Sequence, residues 1–276
     1  MAGRSTPLLS IVVPVYNEER RLLVTLLGLT EALAELPMTA EVLVVDNGST
    51  DRSVDLVAAH RGPVPVRVIG CAERGKGAAV RAGVLDTTGP YVGFCDADLA
   101  TDLAALPATL AQLEAGINVV VGSRAHPDSI VQARHSLARR AGANAFRASV
   151  RRLVPGISDT QCGYKFFDRR TADAIFRPLR TFGFAFDVEL LARAQQIGAV
   201  IAELPVRWTD VPGSTFSPVR DGYDSFGALL RIREVLLAER LIAPVAVPDP
   251  RLVPDPGLTP AGDLFDPTVV RVARGV

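Results

Sequence analysis

The chain has 276 residues, 48% of them hydrophobic and 22% charged, which suits one large globular α/β domain with a small appendage. Thirty basic residues (Lys+Arg 30) balance thirty acidic ones (Asp+Glu 30), which excludes a protein that grips nucleic acid by bulk positive charge. No apolar run reaches the roughly 18–20 residues that span a bilayer, no secretory leader is legible, and three scattered cysteines, Cys71, Cys95 and Cys162, fit neither a disulfide framework nor a zinc spacing, so a reducing cytosol is expected.

Residues 9–15 (LSIVVPV) read as a strand buried on both faces. Residues 18–36 carry Leu22, Leu23, Leu26, Leu29 and Leu33 at helical spacing, and Pro37 ends the helix. Residues 41–46 (EVLVVD) are a second strand, after which Asn47-Gly48-Ser49 turns and Ser49 or Thr50 can cap a helix running to about residue 60. Strand 64–69, helix 75–85, strand 91–95, helix 103–115 and strand 119–122 continue the alternation, which implies a mostly parallel sheet in a three-layer fold. Residues 132–153 can form one long helix bearing Arg134, Arg139, Arg140, Arg147, Arg151 and Arg152. Strand 163–167, helices 170–176 and 187–197, strand 200–206 and an amphipathic helix 225–241 follow. Beyond residue 240 the composition turns to Pro, Asp, Val and Gly, with Val-Pro-Asp-Pro repeated at 247–250 and 253–256, so residues 241–276 read as an extended or disordered tail without a catalytic role.

Ligands of an open parallel sheet bind beyond the carboxyl ends of its strands. Acidic residues stand at three such ends here: Glu18 after the first strand, Asp46 after the second, and Asp96-Ala97-Asp98 after the fourth. The dinucleotide fingerprint and the Walker loop are both absent, and Gly75-Lys76-Gly77 is too short to replace the latter. Two carboxylates spaced i, i+2 at a bend can converge on a hard divalent cation that neutralises a departing diphosphate, or they can simply cap the turn. Asp159 can likewise close a turn, Asp187 can cap the helix after it, and Glu189 can pair with Arg193 one turn on. Cys162 reads as a small buried hydrophobe and Trp208 as a cover for the core.

The stretches Val13-Pro14-Val15-Tyr16-Asn17-Glu18, Val45-Asp46-Asn47-Gly48-Ser49-Thr50-Asp51, Gly75-Lys76-Gly77 and Asp96-Ala97-Asp98, in this order and spacing, resemble the nucleotide-sugar half of family 2 glycosyltransferases of the GT-A fold. In the second half, Gly122-Ser123-Arg124-Ala125-His126, the run 159–167 and the run 185–191 resemble the dolichyl-phosphate β-glucosyltransferases and their bacterial polyprenyl-phosphate relatives. The resemblance implies a GT-A three-layer α/β/α domain over 1–240, with a nucleotide-sugar half at 8–124 and an acceptor half at 125–240. It implies inverting, metal-dependent transfer of a hexose, glucose foremost, from a UDP-sugar to polyprenyl or dolichyl phosphate.

The roles it implies are these. Pro14, Tyr16, Glu18 and Ala97 line the donor pocket, Asp46 accepts from the uracil N–H, and Lys76 lies near base or phosphate. Asp96 contacts the ribose side, and Asp98, with Asp96, holds Mg²⁺ or Mn²⁺. Arg124, Arg134, Ser136 and Arg139 face the acceptor phosphate, a task that suits the planar guanidinium fork. Asp98, Arg124, Arg134, Asp159 and Asp187 form the implied catalytic set, the last two serving as bases if the acceptor is a hydroxyl.

Several positions depart from the pattern. Asn47 stands where a second aspartate is common, Ala100 replaces a metal-holding glutamine and leaves Thr101 or Asp102 to assist, and Thr215 replaces a lysine. With no membrane helix in the sequence, a lipid acceptor is expected to be met peripherally at the cytoplasmic face, through 134–152 and 225–241. A soluble hydroxyl acceptor on the same fold, or a non-catalytic nucleotide-sugar-binding subunit, would fit the same residues.

Overall fold

The computed structural model describes residues 7–132, 146, 148–211, 220–242 and 271–273. Ten strands and seven α-helices are described: β1 (Leu9–Val15), α1 (Leu22–Ala34), β2 (Ala40–Asp46), α2 (Ser53–Ala59), β3 (Val66–Gly70), α3 (Lys76–Asp86), β4 (Tyr91–Cys95), a 3₁₀ turn (Leu103–Ala105), α4 (Leu106–Glu114), β5 (Val119–Ser123), β6 (Ile130–Gln132), β7 (Tyr164–Asp168), α5 (Arg169–Phe176), α6 (Phe186–Gln196), β8 (Ile201–Pro205), β9 (Arg207–Thr209), α7 (Arg220–Ile242) and β10 (Arg271–Ala273).

Eight strands form one sheet in the order β10-β8-β5-β7-β4-β1-β2-β3. Strands β7 and β10 run against the rest, which are mutually parallel. Alternate residues feed two cores. Val12, Leu43, Val45 and Phe94 face α3, α5, α6 and α7, while Ile11, Val13, Val42 and Val44 face α1 and α4. Helix α1 seats Leu22, Leu26, Leu29 and Leu33 on that second face. Each such burial is worth roughly 2 kcal/mol against exposure.

The expected three-layer α/β/α sandwich with a mostly parallel sheet is therefore present. Three details differ from the sequence expectation. Neither Ser49 nor Thr50 caps the second helix, because α2 starts at Ser53 and the Ser49 hydroxyl is taken by the Asn17 amide at 3.0 Å. The helix expected over 225–241 starts at Arg220 and spends Leu229, Ile232 and Leu236 on the core, leaving Leu230 and Leu237 exposed. In the stretch expected to be a tail, residues 271–273 form the edge strand β10 on β8. Most of the expected helix 132–153, with Arg134, Ser136, Arg139 and Arg140, lies outside the described residues.

A second, smaller sheet was not legible in the sequence. Strands β6 and β9 pair in parallel, and Thr101 bridges to Trp208 on the other side of β9. This ribbon joins the loop after β4 to the segments that follow β5 and β8, and so closes one flank of the carboxyl edge.

Candidate active site

The loops after β1 and β2 are laced together by side chains. Asn17 adopts φ 55°, a left-handed conformation that asparagine tolerates. Its carboxamide oxygen accepts from the Thr50 amide at 2.8 Å. Glu18 and Glu19 present their amides to the Ser53 hydroxyl (2.9 Å) and to Asp51 (3.0 Å). Asp46 folds over its own turn and accepts from the amides of Gly48 (3.3 Å) and Ser49 (3.1 Å). Asn47 clamps the next loop with both ends of its carboxamide. It donates to the carbonyls of Cys71 (3.2 Å) and Glu73 (2.6 Å) and accepts from the Gly75 amide (2.8 Å). The first two bonds need an N–H that an aspartate lacks, so the departure at position 47 has a structural use.

Gly75 has φ 124°, and a Cβ there would meet the Phe182 carbonyl oxygen at 2.2 Å. No other residue type fits that approach, and it starts α3 with Lys76 turned to the end of β4. The Lys76 ammonium lies 2.5 Å from Asp96 Oδ1. Burial works against its charge, but Asp96 and Asp187 outweigh it and its pKa is raised. Asp96 has room because β7 starts beside the end of β4, in the register Cys95↔Tyr164. That register puts Gly163 against the carboxylate, where a Cβ would stand 2.0 Å from Asp96 Oδ2.

Asp98 accepts from the Ala100 amide at 3.1 Å. Burial and the neighbouring Asp96 charge push its carboxyl up, while the Ala100 amide, Arg21 and Lys76 pull the other way. Leu99, the next residue, sits at φ 45°, a strained conformation costing roughly 1–2 kcal/mol at a site where strain tends to concentrate. Two crowded carboxylates, one of them destabilised as an anion, are a donor set that suits a hard divalent cation. No cluster of three His, Cys, Asp or Glu side chains occurs among the described residues, so other ligands would have to come from substrate or water. The two proposed assistants are spent elsewhere. Thr101 is buried with its hydroxyl 3.6 Å from Cys162 Sγ, and Asp102 caps the 3₁₀ turn by accepting from Ala104 N at 2.8 Å.

Arg124, just past β5, forks onto Asp159 at 2.6 and 2.9 Å, and its amide adds a third bond at 3.0 Å. Its guanidinium also lies over the Trp208 ring, 5.5 Å from the centroid, which gives that tryptophan a second use beside covering the core. Burial opposes the charge on Asp159, yet Arg124 overcomes it and holds the carboxyl at about 2. The segment is anchored from below by buried Glu203, which accepts from the amides of Ser158 (3.0 Å) and Asp159 (3.1 Å). Around this pair the side-chain polar atoms Ser123 Oγ, His126 Nε2 and Gln161 Nε2 are buried with no hydrogen-bond partner among the described residues. His126 Nδ1 is engaged by the Asp128 amide at 3.3 Å. Buried orphans of this kind are free to serve a ligand.

Asp187 does not cap its helix. Helix α6 starts one residue earlier with Ala185 at the cap position, and the Asp187 carboxylate accepts from Lys165 Nζ at 2.6 Å, both groups being buried. Burial raises the Asp187 carboxyl, while Lys165 and Lys76 restrain it. Lys165 also donates to the Cys162 carbonyl at 2.5 Å. Burial and the Asp159 charge push the Cys162 thiol up to about 11, in keeping with a buried hydrophobe rather than a nucleophile.

The structure thus gathers Asp46, Lys76, Asp96, Asp98, Arg124, Asp159 and Asp187 along one sheet edge. Tyr16 is exposed there, Pro14 is half-buried inside β1, and Glu18 is paired with Arg21. Ala97 is buried, and its carbonyl accepts from Thr25 at 2.5 Å, so it faces α1. Sequence reasoning missed Arg21, Lys165 and Gly163. A lysine inside the apolar run 164–167 was the available signal, since a buried charge needs a partner.

A mostly parallel sheet whose carboxyl edge carries an Asp-x-Asp pair, a lysine on a glycine-flanked helix start and an arginine fork is the arrangement that the sequence resemblance leads one to expect of a glycosyltransferase. The family described as glycosyl transferase family 2 matches residues 10–176. A dolichyl-phosphate beta-glucosyltransferase of Dictyostelium discoideum is 37% identical over 240 residues, covering 82% of this chain and 73% of its own. One from Homo sapiens is 40% identical over 236 residues, covering 77% and 71%. Among solved structures, glucosyl-3-phosphoglycerate synthase of Mycobacterium tuberculosis in complex with UDP superposes with a TM-score of 0.60 at 19% identity, covering 84% of this chain and 80% of that one. That likeness bears on the fold alone. The chain belongs to glycosyl transferase family 2 and is a glycosyltransferase.

Proposed function

We propose that this protein transfers glucose, with inversion, from UDP-glucose to dolichyl phosphate or a related polyprenyl phosphate. The curated relatives, 37% and 40% identical over most of both chains, are named dolichyl-phosphate beta-glucosyltransferases, which supports glucose and the lipid phosphate acceptor. The observation that carries the acceptor class is the state of the two candidate bases. Asp159 is locked in a fork with Arg124 and held at about 2, so it takes up no proton near neutrality. Asp187 is only 3% exposed and bound to Lys165. A hydroxyl acceptor requires a base, whereas a phosphate acceptor is already an anion and attacks the anomeric carbon without one.

On this reading the protein works by alignment and charge. Asp46, Tyr16 and the turn 47–50 receive the uridine. Lys76 meets the diphosphate and exchanges part of its contact with Asp96 for it. Arg124, fixed by Asp159 and backed by Trp208, presents its outer nitrogens to the acceptor phosphate. The orphaned Ser123, His126 and Gln161 are available to the sugar or to that phosphate. Asp98 with Asp96 would hold Mg²⁺ or Mn²⁺, which when bound neutralises negative charge on the departing UDP. No helix among the described residues is long and apolar enough to cross a membrane. Contact with a lipid surface is assigned to the exposed Leu230 and Leu237 of α7, together with the arginine-rich stretch before residue 152. Residues 8–124 then form the donor half and residues 125–240 the acceptor half.

The test is donor discrimination. Radiolabelled UDP-glucose should yield product with dolichyl phosphate, GDP-mannose should not, and EDTA should stop the reaction. Equal use of both donors, or turnover on dolichol lacking its phosphate, would overturn it.

A further inference from the structure

Glu189 stands one turn into α6, 1% exposed, and is absent from the chemistry above. Its carboxylate gathers more donors than a helix ion pair requires. It accepts from the amides of Arg180 (3.1 Å) and Thr181 (2.7 Å) and from Arg193 Nε at 2.8 Å. Arg193 in turn forks onto Glu239 of α7 at 2.6 and 3.2 Å. The expected i, i+4 pair is thus the middle of a longer chain, whose near end is the loop before α6.

That loop touches the donor side of the site. The Phe182 carbonyl, one residue past Thr181, accepts from the Gly77 amide at 2.8 Å. A Cβ on Gly77 would stand 2.6 Å from Phe186 Cβ and 2.9 Å from the Thr181 carbonyl oxygen. With Gly75 already pressed on Phe182, both neighbours of Lys76 are seated on residues 181–186. A shift of that loop therefore moves the start of α3 and, with it, the ammonium that meets Asp96. Charge-assisted bonds donated by consecutive amides to a buried carboxylate give the loop one position.

We infer that Glu189 is a positioning residue for Lys76, holding loop 180–182 so that the lysine reaches the donor diphosphate. The inference rests on the reading of Lys76 as a donor-binding residue. A purely structural brace would lower stability without singling out Lys76, and a double-mutant cycle separates the two.

The experiment is UDP binding by calorimetry, with Mg²⁺ present, on the full chain as wild type, Lys76→Ala, Glu189→Gln and the double variant. Glu189→Gln should weaken UDP roughly tenfold, the loss of about one charge-assisted hydrogen bond. In the Lys76→Ala background the same change should weaken it less than about twofold. Glu239→Gln, at the partly exposed far end of the chain, should show a smaller effect with the same non-additivity, and it decides the matter if Glu189→Gln does not fold. Wild-type affinity in the glutamate variants, or losses that multiply with that of Lys76→Ala, would overturn the inference. If wild type binds no UDP, or Lys76→Ala binds it unchanged, the donor reading itself fails and takes the inference with it. Those outcomes involve no glutamate variant and are therefore distinguishable.

Discussion

Replacing Asp159 by Asn should cost both stability and transfer, by amounts the structure sets. The Asp159 side chain is 9% exposed and that of Arg124 31%, so solvent screens the fork weakly. A carboxyl held at about 2, against an ordinary value of 3.8, stabilises the folded state at neutral pH by roughly 2–3 kcal/mol. The folded value lies below the unfolded one, so this contribution is complete above the ordinary carboxylate range and is lost as pH falls. About half should remain near pH 3. Urea denaturation of wild type and Asp159→Asn between about pH 7 and pH 3 reads the difference directly. It should narrow to about half over that range. Transfer by the variant should drop as well, because Arg124 loses the partner that aims it. A stability gap that is absent at neutral pH, or that does not change with pH, would refute the reasoning.

Asn47→Ala should lower stability by roughly 1–2 kcal/mol, since three clamp bonds to loop 71–75 disappear, and a denaturation midpoint equal to wild type would show that the clamp is idle. Gly163→Ala should displace the Asp96 carboxylate, which a Cβ would approach to 2.0 Å, and weaken UDP in calorimetry by roughly tenfold or more; unchanged binding would contradict the placement of Asp96. Asp98→Asn should cut transfer by roughly 100-fold or more. Because burial and Asp96 disfavour the Asp98 anion, the variant should be at least as stable as wild type at pH 7, and a large drop in Tm would argue against that environment.

The strands of the first half were legible because parallel strands buried on both faces leave unbroken apolar runs, as at 9–15 and 91–95. The direction of β7 was not, since nothing in Tyr164–Asp168 records that it lies antiparallel between β4 and β5. The ribbon strands Ile130–Gln132 and Arg207–Thr209 were invisible for a different reason. Three mostly exposed residues are too few to show a period of two. In the site, motif residues at strand ends could be named, but not their partners. Asp159 stands 35 residues from Arg124, and Asp187 22 residues from Lys165, so each pairing is a tertiary fact. That is why both aspartates read as candidate bases in the sequence and are ion-paired in the fold. Asn47 illustrates the converse: it looked like a lost charge, and its amide hydrogens tie the loop that leads to Lys76.

The most direct test of the central claim is a transfer assay with labelled UDP-glucose, Mg²⁺ and detergent-dispersed dolichyl phosphate, run beside a soluble phosphorylated acceptor such as 3-phosphoglycerate. A lipid-extractable, EDTA-sensitive product that Asp98→Asn fails to make is the expected result. Label recovered only on the soluble acceptor, or no lipid product from enzyme that binds UDP-glucose, would contradict it.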